Sequence, residues 1–94
     1  MPFRYDIFIG SDNSSRRINR SYLSKLKELL NDCFPDGYTL LNCRGRYNGA
    51  EEESVIITAV CEKTIELEKV YKLKKHLKQE AILVTIYEVD SVFV

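Results

Sequence analysis

Apolar positions recur along this chain in two rhythms. Residues 3–9, FRYDIFI, alternate, with Phe3, Tyr5, Ile7 and Ile9 on one side and Arg4, Asp6 and Phe8 on the other, the pattern of a half-buried strand that Gly10 ends. The rhythm changes after a polar stretch, GSDNSSRR, that shows no regular pattern. Tyr22, Leu26, Leu29, Leu30 and Cys33 recur at three- and four-residue intervals and predict a helix with one apolar face. Asn19 is placed to cap it, and Ile18 and Leu23 are spaced for a hydrophobic staple. Pro35 cannot continue the helix and biases Phe34 toward an extended backbone, and Asp36-Gly37 supplies a turn.

Residues 38–61 return to alternation, with Asn48-Gly49 between two apolar runs. Asn-Gly suits a type I′ turn, which needs positive φ at both central residues, so the segment predicts a two-residue β-hairpin. Counting outward sets Tyr47 opposite Ala50, Arg46 opposite Glu51 and Arg44 opposite Glu53, two opposite-charge pairs near the tip. Farther down, Leu40 and Tyr38 meet Ile57 and Ala59, while the other face carries Thr39, Leu41 and Cys43 against Thr58, Ile56 and Ser54.

A second helix is expected from a Thr64 cap to about Lys78. Ile65, Val70, Leu73 and Leu77 form its stripe, glutamates gather at its start and lysines at its end, as the helix dipole favours. Residues 81–94, AILVTIYEVDSVFV, are β-branched and aromatic and predict one long strand, or a strand plus a short fifth around residues 91–94. The order β-α-β-β-α-β is that of the α+β ferredoxin-like split βαβ arrangement, an antiparallel sheet with both helices on one face. Its uncovered face would hold Leu41, Ile56 and Val60, more apolar surface than a solvated face carries, so a homo-oligomer is expected, one that covers this face or one that pairs the terminal strand between subunits.

Length and charge narrow the function. Ninety-four residues suggest a single domain over the whole chain, with function on a surface, a cleft or a subunit boundary. Fourteen basic residues balance fourteen acidic ones, which argues against duplex nucleic acid as a partner. Cys33, Cys43 and Cys61 form no C-x-x-C pair and read as reduced, buried thiols; neither a metal nor a cofactor is expected. The N-terminal residues lack the pattern of a leader and no apolar run reaches the ~20 residues of a membrane span, so a cytoplasmic, membrane-free location is expected.

The run FPDGYTLLNCRG at 34–45, then Tyr47, the Glu52-Glu53-Ser54 segment, and Gln79-Glu80 leading into residues 82–84, resembles an uncharacterised bacterial family of small proteins. That family's pattern is F-P-D-G-x-T, a Gly and an aromatic, E-x-S, and Q-E-x-V-L before the last strand. This chain departs from it at Leu73 and Leu77, where the family has aromatics. The resemblance implies the same fold and carries no activity.

Candidate chemistry lies in three places. Ser11, Arg16 and Arg17 precede the first helix, where free amides and the dipole favour an anion, although no phosphate-loop spacing is present. Arg44, Arg46 and Tyr47 could clamp an anionic or planar ligand, unless Glu51 and Glu53 occupy the arginines. Gln79 and Glu80 could hydrogen-bond a ligand at the sheet end, or form the turn. His76 stands among lysines and reads as a surface residue. An RNA-recognition domain is excluded because SVIITAVC at 54–61 has no ring to stack a base. The leading expectation is a homo-oligomeric, non-enzymatic module that binds a small anionic ligand, a nucleotide among the candidates, as a regulator or a virus-encoded scavenger of signalling nucleotides. The alternatives are a small dimeric α+β-barrel-type enzyme using a tyrosine, His76 or Glu80 for proton transfer, and an interaction module acting through its open sheet face.

Overall fold

The computed structural model describes residues 2–12 and 14–94. Its elements are β1 (Phe3–Gly10), α1 (Arg20–Cys33), β2 (Thr39–Tyr47), β3 (Ala50–Cys61), α2 (Leu67–His76) and β4 (Leu83–Glu88). The four strands form one antiparallel sheet in the order β2-β3-β1-β4, the ferredoxin-like arrangement. Tyr5, Ile7 and Ile9 of β1 and Val55, Ile57 and Ala59 of β3 pack against Leu26, Leu30 and Leu73 of the helices in one core. Each fully buried aliphatic side chain there contributes ~1.5–3 kcal/mol.

The hairpin register is as the charge pattern predicts, from Tyr47↔Ala50 through Arg46↔Glu51 and Arg44↔Glu53 to Leu40↔Ile57. Asn48 and Gly49 both have positive φ, at 51° and 77°, which matches the right-handed twist of the flanking strands. Asn19 caps α1 by accepting from the Tyr22 amide at 2.8 Å. At the other end Phe34 leaves the helical conformation without becoming extended (φ −131°, ψ 71°), and its ring meets Tyr5 at 6.2 Å.

Two boundaries differ from expectation. α2 starts at Leu67, not after Thr64, because the Ile65 amide donates to the Tyr5 hydroxyl at 3.0 Å, a tie to the core that competes with a helical first turn. The apolar C-terminal stretch forms only β4; residues 89–94 lie in no strand, and Val92, Phe93 and Val94 are exposed. β-Propensity alone did not recruit them; among the described residues the stretch is tied to the body by the bond from Val89 N to Pro2 O.

The open face of the sheet is ordered in rows. Leu41, Ile56, Phe8 and Leu83 make an apolar row, Thr39, Thr58, Asp6 and Thr85 a polar one, and Val60, Arg4 and Tyr87 a third. Leu41 and Val60 each keep 51% of their surface exposed and Leu83 61%, the unusual apolarity that the alternation foreshadows.

Candidate functional site

β1 ends at Gly10, opposite Ser54, but the β2–β3 hairpin continues for several residues beyond it. The projecting hairpin and the connection from α2 to β4 therefore face one another across the end of the sheet. Between them lies a cavity of about 620 Å³, within the ~300–1,000 Å³ typical of small-molecule sites. Its apolar end is the row of Phe8, Ile56 and Leu83. Gly10, Cys43 and Ser54 form the next row, and Tyr47 from the hairpin and Gln79 and Glu80 from the connection close the polar end.

A chain of hydrogen bonds fastens these pieces together. The Tyr22 hydroxyl donates to Gly10 O at 2.7 Å and accepts from Gln79 Nε2 at 3.3 Å, while the same Nε2 donates to Ser11 O at 3.0 Å. The Ser11 hydroxyl donates to Glu52 Oε2 at 2.9 Å. Burial, with the charges of Asp12 and Glu52, pushes the Tyr22 phenol up to about 12, so it remains a hydrogen-bond donor at neutral pH. Four segments thus meet at one knot: the end of β1, the first turn of α1, β3 and the α2–β4 connection.

The connection itself is set by the end of α2. Lys78 takes a left-handed conformation (φ 54°), Gln79 N donates to Lys74 O at 3.0 Å and Lys78 N to Lys75 O at 3.3 Å, the paired bonds of a Schellman motif. That turn brings Gln79 to the knot. Beside it, Glu80 Oε2 accepts from the Tyr47 hydroxyl at 3.3 Å, closing the cavity between hairpin and connection.

The candidates named from sequence therefore separate. Tyr47, Gln79 and Glu80 share the cavity; Arg44 and Arg46 belong to its lining, but strand alternation sets their side chains on the opposite face of β2 from Tyr47, and Arg16 and Arg17 stand outside the lining. Ser11 is 1% exposed and donates inward to Glu52. The loop that carries these residues is more ordered than its composition suggests. Asp12 accepts from Ser14 N and Arg16 N, and Arg16 O accepts from Glu53 N, docking the loop on β3; Asn13 lies outside the described residues. Arg17 and Arg44 share a shallow depression with Glu51, Glu52 and Glu53, three carboxylates against two guanidinium groups, which gives an anion little advantage there. The hairpin-tip ion pair is also diagonal: Arg44 Nη1 lies 3.4 Å from Glu51 Oε1, not on Glu53, and Arg46 donates to Gly49 O at 3.1 Å.

His76 is exposed in the last turn of α2, outside the cavity lining. Cys33 is buried and Cys43 and Cys61 are partly covered; burial, with the nearby charges of Asp32 and Asp36, pushes the Cys33 and Cys61 thiols up and keeps them protonated. Sequence reasoning missed Gly10, Tyr22 and Glu52. Tyr22 had a readable signal, a hydroxyl on the sheet-facing side of α1 near the end of β1; Glu52 had none, because its reach back to Ser11 is not a cross-strand relation.

No three His, Cys, Asp or Glu side chains among the described residues are placed to hold a metal ion together, and no helix among them is long and apolar enough to cross a membrane. The class of molecule is a ferredoxin-like α+β sheet with a cavity at the exposed end of its β2–β3 hairpin. Two solved structures share that fold. One is a phage S-adenosylmethionine lyase in complex with S-methyl-5′-thioadenosine, with a TM-score of 0.63 and 21% identity over 93% of this chain and 81% of that one. The other is CPII, a nitrogen regulatory PII-like protein from Thiomonas intermedia bound to ADP, AMP and bicarbonate, with a TM-score of 0.67 and 11% identity over 100% of this chain and 97% of that one. No family model and no curated protein matches the chain.

Proposed function

We propose that the protein is a homo-oligomeric module that binds an adenosine-type nucleoside or nucleotide in the cavity between the hairpin and the α2–β4 connection. The observation that carries this reading is the cavity's division into an apolar end at Phe8, Ile56 and Leu83 and a polar end at Tyr47, Gln79 and Glu80. A flat base suits the first, and a sugar with its 5′ substituent suits the second. The adenosine ligands held by both structural neighbours point the same way. Exposed Leu41, Val60 and Leu83 on the open sheet face, onto which the cavity opens, support an oligomer that covers it.

A second reading is favoured by one contact, the hydrogen bond from Tyr47 to Glu80 at the polar end. A carboxylate there suits a cationic substituent better than a phosphate chain. The ligand would then be a sulfonium such as S-adenosylmethionine, the substrate class in the lyase neighbour's name. The protein would be an enzyme that breaks the C–S bond to the aminobutyrate arm, the bonding pair going to the sulfur of the released thioether nucleoside while the arm's own carboxylate closes on the freed carbon as a lactone.

One experiment addresses both readings. The purified chain is titrated calorimetrically with AMP, ADP, S-methyl-5′-thioadenosine and S-adenosylmethionine, and the last mixture is followed by mass spectrometry. Saturable binding of any adenosine ligand, weakened at least tenfold in Tyr47→Phe or Glu80→Gln, supports the proposal. Release of S-methyl-5′-thioadenosine from S-adenosylmethionine selects the enzyme. A chain that binds none of the four refutes both.

A further inference from the structure

The knot beneath the cavity has a direction, set by its carbonyls. Gly10 O and Ser11 O can only accept, so Tyr22 Oη donates to the first and the Gln79 amide turns its Nε2 to the second. That orientation fixes the other amide atom, Oε1, as an acceptor outside the knot. On Glu52, Oε2 takes the Ser11 hydroxyl and leaves Oε1 likewise outside it. The two leftover oxygens converge. A Cβ built on Gly10 would stand 2.9 Å from Glu52 Oε1 and 3.3 Å from Gln79 Oε1, so both acceptors flank the space above one glycine of the cavity wall.

We propose that Glu52 Oε1 and Gln79 Oε1 form a ribose subsite, taking the 2′- and 3′-hydroxyls of the ligand over Gly10. The inference rests on the nucleoside reading above and names which part of the nucleoside this corner recognises. Two acceptors aimed at one point need two donors on adjacent atoms, which a cis-diol supplies. Hydroxyl-to-carboxylate bonds are short and strong, and an acidic side chain on the ribose hydroxyls is a recurring device of nucleotide sites. Spacing along the sheet agrees. The Gly10–Ser54 row lies two residues, roughly 7 Å, from the apolar row of Phe8, Ile56 and Leu83. A base on the apolar row therefore leaves its sugar at the glycine and its 5′ substituent toward Tyr47 and Glu80. Glycine at position 10 has a reason in this arrangement, since a Cβ there would press on both acceptor side chains.

The test is calorimetric titration of the full chain with adenosine, 2′-deoxyadenosine, 3′-deoxyadenosine and inosine. The deoxy compound that loses the bond to the Glu52 carboxylate is expected to bind at least about tenfold more weakly than adenosine, and the one that loses the bond to the neutral Gln79 amide a few-fold more weakly, the usual costs of a bond to a charged and to a neutral group, whereas inosine keeps adenosine's affinity. Glu52→Gln is expected to bring the ribo-to-deoxy ratio toward one for the deoxy compound that lacks the hydroxyl held by Glu52, leaving the ratio for the other, which Gln79 sets, unchanged. Gly10→Ala, whose thermal midpoint reports that it folds, is expected to weaken the ribosides while leaving less of a penalty for the deoxy compounds. Equal binding of ribo and deoxy ligands overturns the subsite and leaves the nucleoside reading standing. A loss confined to inosine assigns the oxygens to the base amine and overturns it too. If no adenosine compound binds, the nucleoside reading fails and the subsite with it.

Discussion

Arg16 holds a backbone conformation that its side chain disfavours, with φ at 59° between the Asp12 turn and the docking bond to Glu53. A non-glycine residue in the left-handed region costs ~1–2 kcal/mol, offset in part by glycine's greater unfolded-state entropy. Arg16→Gly is therefore expected to raise stability by up to about 1 kcal/mol, a midpoint gain of ~4–8 °C in calorimetry for a domain of this size. An unchanged or lower midpoint would mean that the guanidinium contributes more than the strain costs. Asp6 carries a different kind of information. Burial raises its carboxyl pKa, but hydrogen bonds from Arg4 (Nε–Oδ1 3.0 Å) and Thr58 and the Arg4 charge outweigh that, and its pKa lies below the ordinary carboxylate value. The folded state thus binds this proton less readily than the unfolded chain. The stabilisation is complete above about pH 5 and lost as the pH falls through the lowered folded value. In urea melts, Asp6→Asn is expected to be less stable than the parent at pH 7 and to converge on it as the pH falls below the ordinary carboxylate value; a gap that stays constant into acid would contradict the linkage.

The hairpin shows what was readable at the scale of elements. Asn48-Gly49 and the Arg-Glu spacing set every Cα pairing from Thr39 to Tyr47, because a two-residue turn leaves one register and strand alternation is local. The ion pair was not readable at the same precision. Which carboxylate an arginine reaches depends on strand twist and rotamers, and here Arg44 crosses to Glu51. Both partners are largely exposed, so the pair should contribute little, and Arg44→Ala is expected to change unfolding free energy by less than ~1 kcal/mol in denaturant melts. A larger loss would show that Arg44 supports the fold beyond this surface pair. The cavity was half legible for the same reason. Tyr47, Gln79 and Glu80 stood out as polar residues beside apolar runs, whereas Gly10, Tyr22 and Glu52 meet only through tertiary approach, across 41 residues for Ser11 and Glu52 and 57 for Tyr22 and Gln79. Even the α2–β4 connection was readable as a turn but not as a Schellman motif, since Lys78 is no usual left-handed residue.

At the scale of the whole molecule the two faces of the sheet have unequal fates. The helices cover one, and the other keeps Leu41, Val60 and Leu83 in solvent beside a cavity that opens onto it. An apolar row that crosses all four strands, from Leu41 through Ile56 and Phe8 to Leu83, is the kind of surface an interface covers. A second copy is the occupant the proposed oligomer implies, and the row structure says where to break it. Leu41 and Val60 lie on the open face but outside the cavity lining, so charging them leaves the ligand contacts within one chain untouched. Native mass spectrometry of the parent protein at micromolar concentration is expected to give more than one subunit, and the double variant Leu41→Glu, Val60→Glu a folded monomer. If ligand affinity then falls in step with subunit count, the neighbouring copy supplies part of the cavity wall; if affinity holds while the oligomer dissociates, one chain carries the whole site. A parent protein that is already monomeric would remove the oligomer and leave the cavity to be tested as a surface site of one chain.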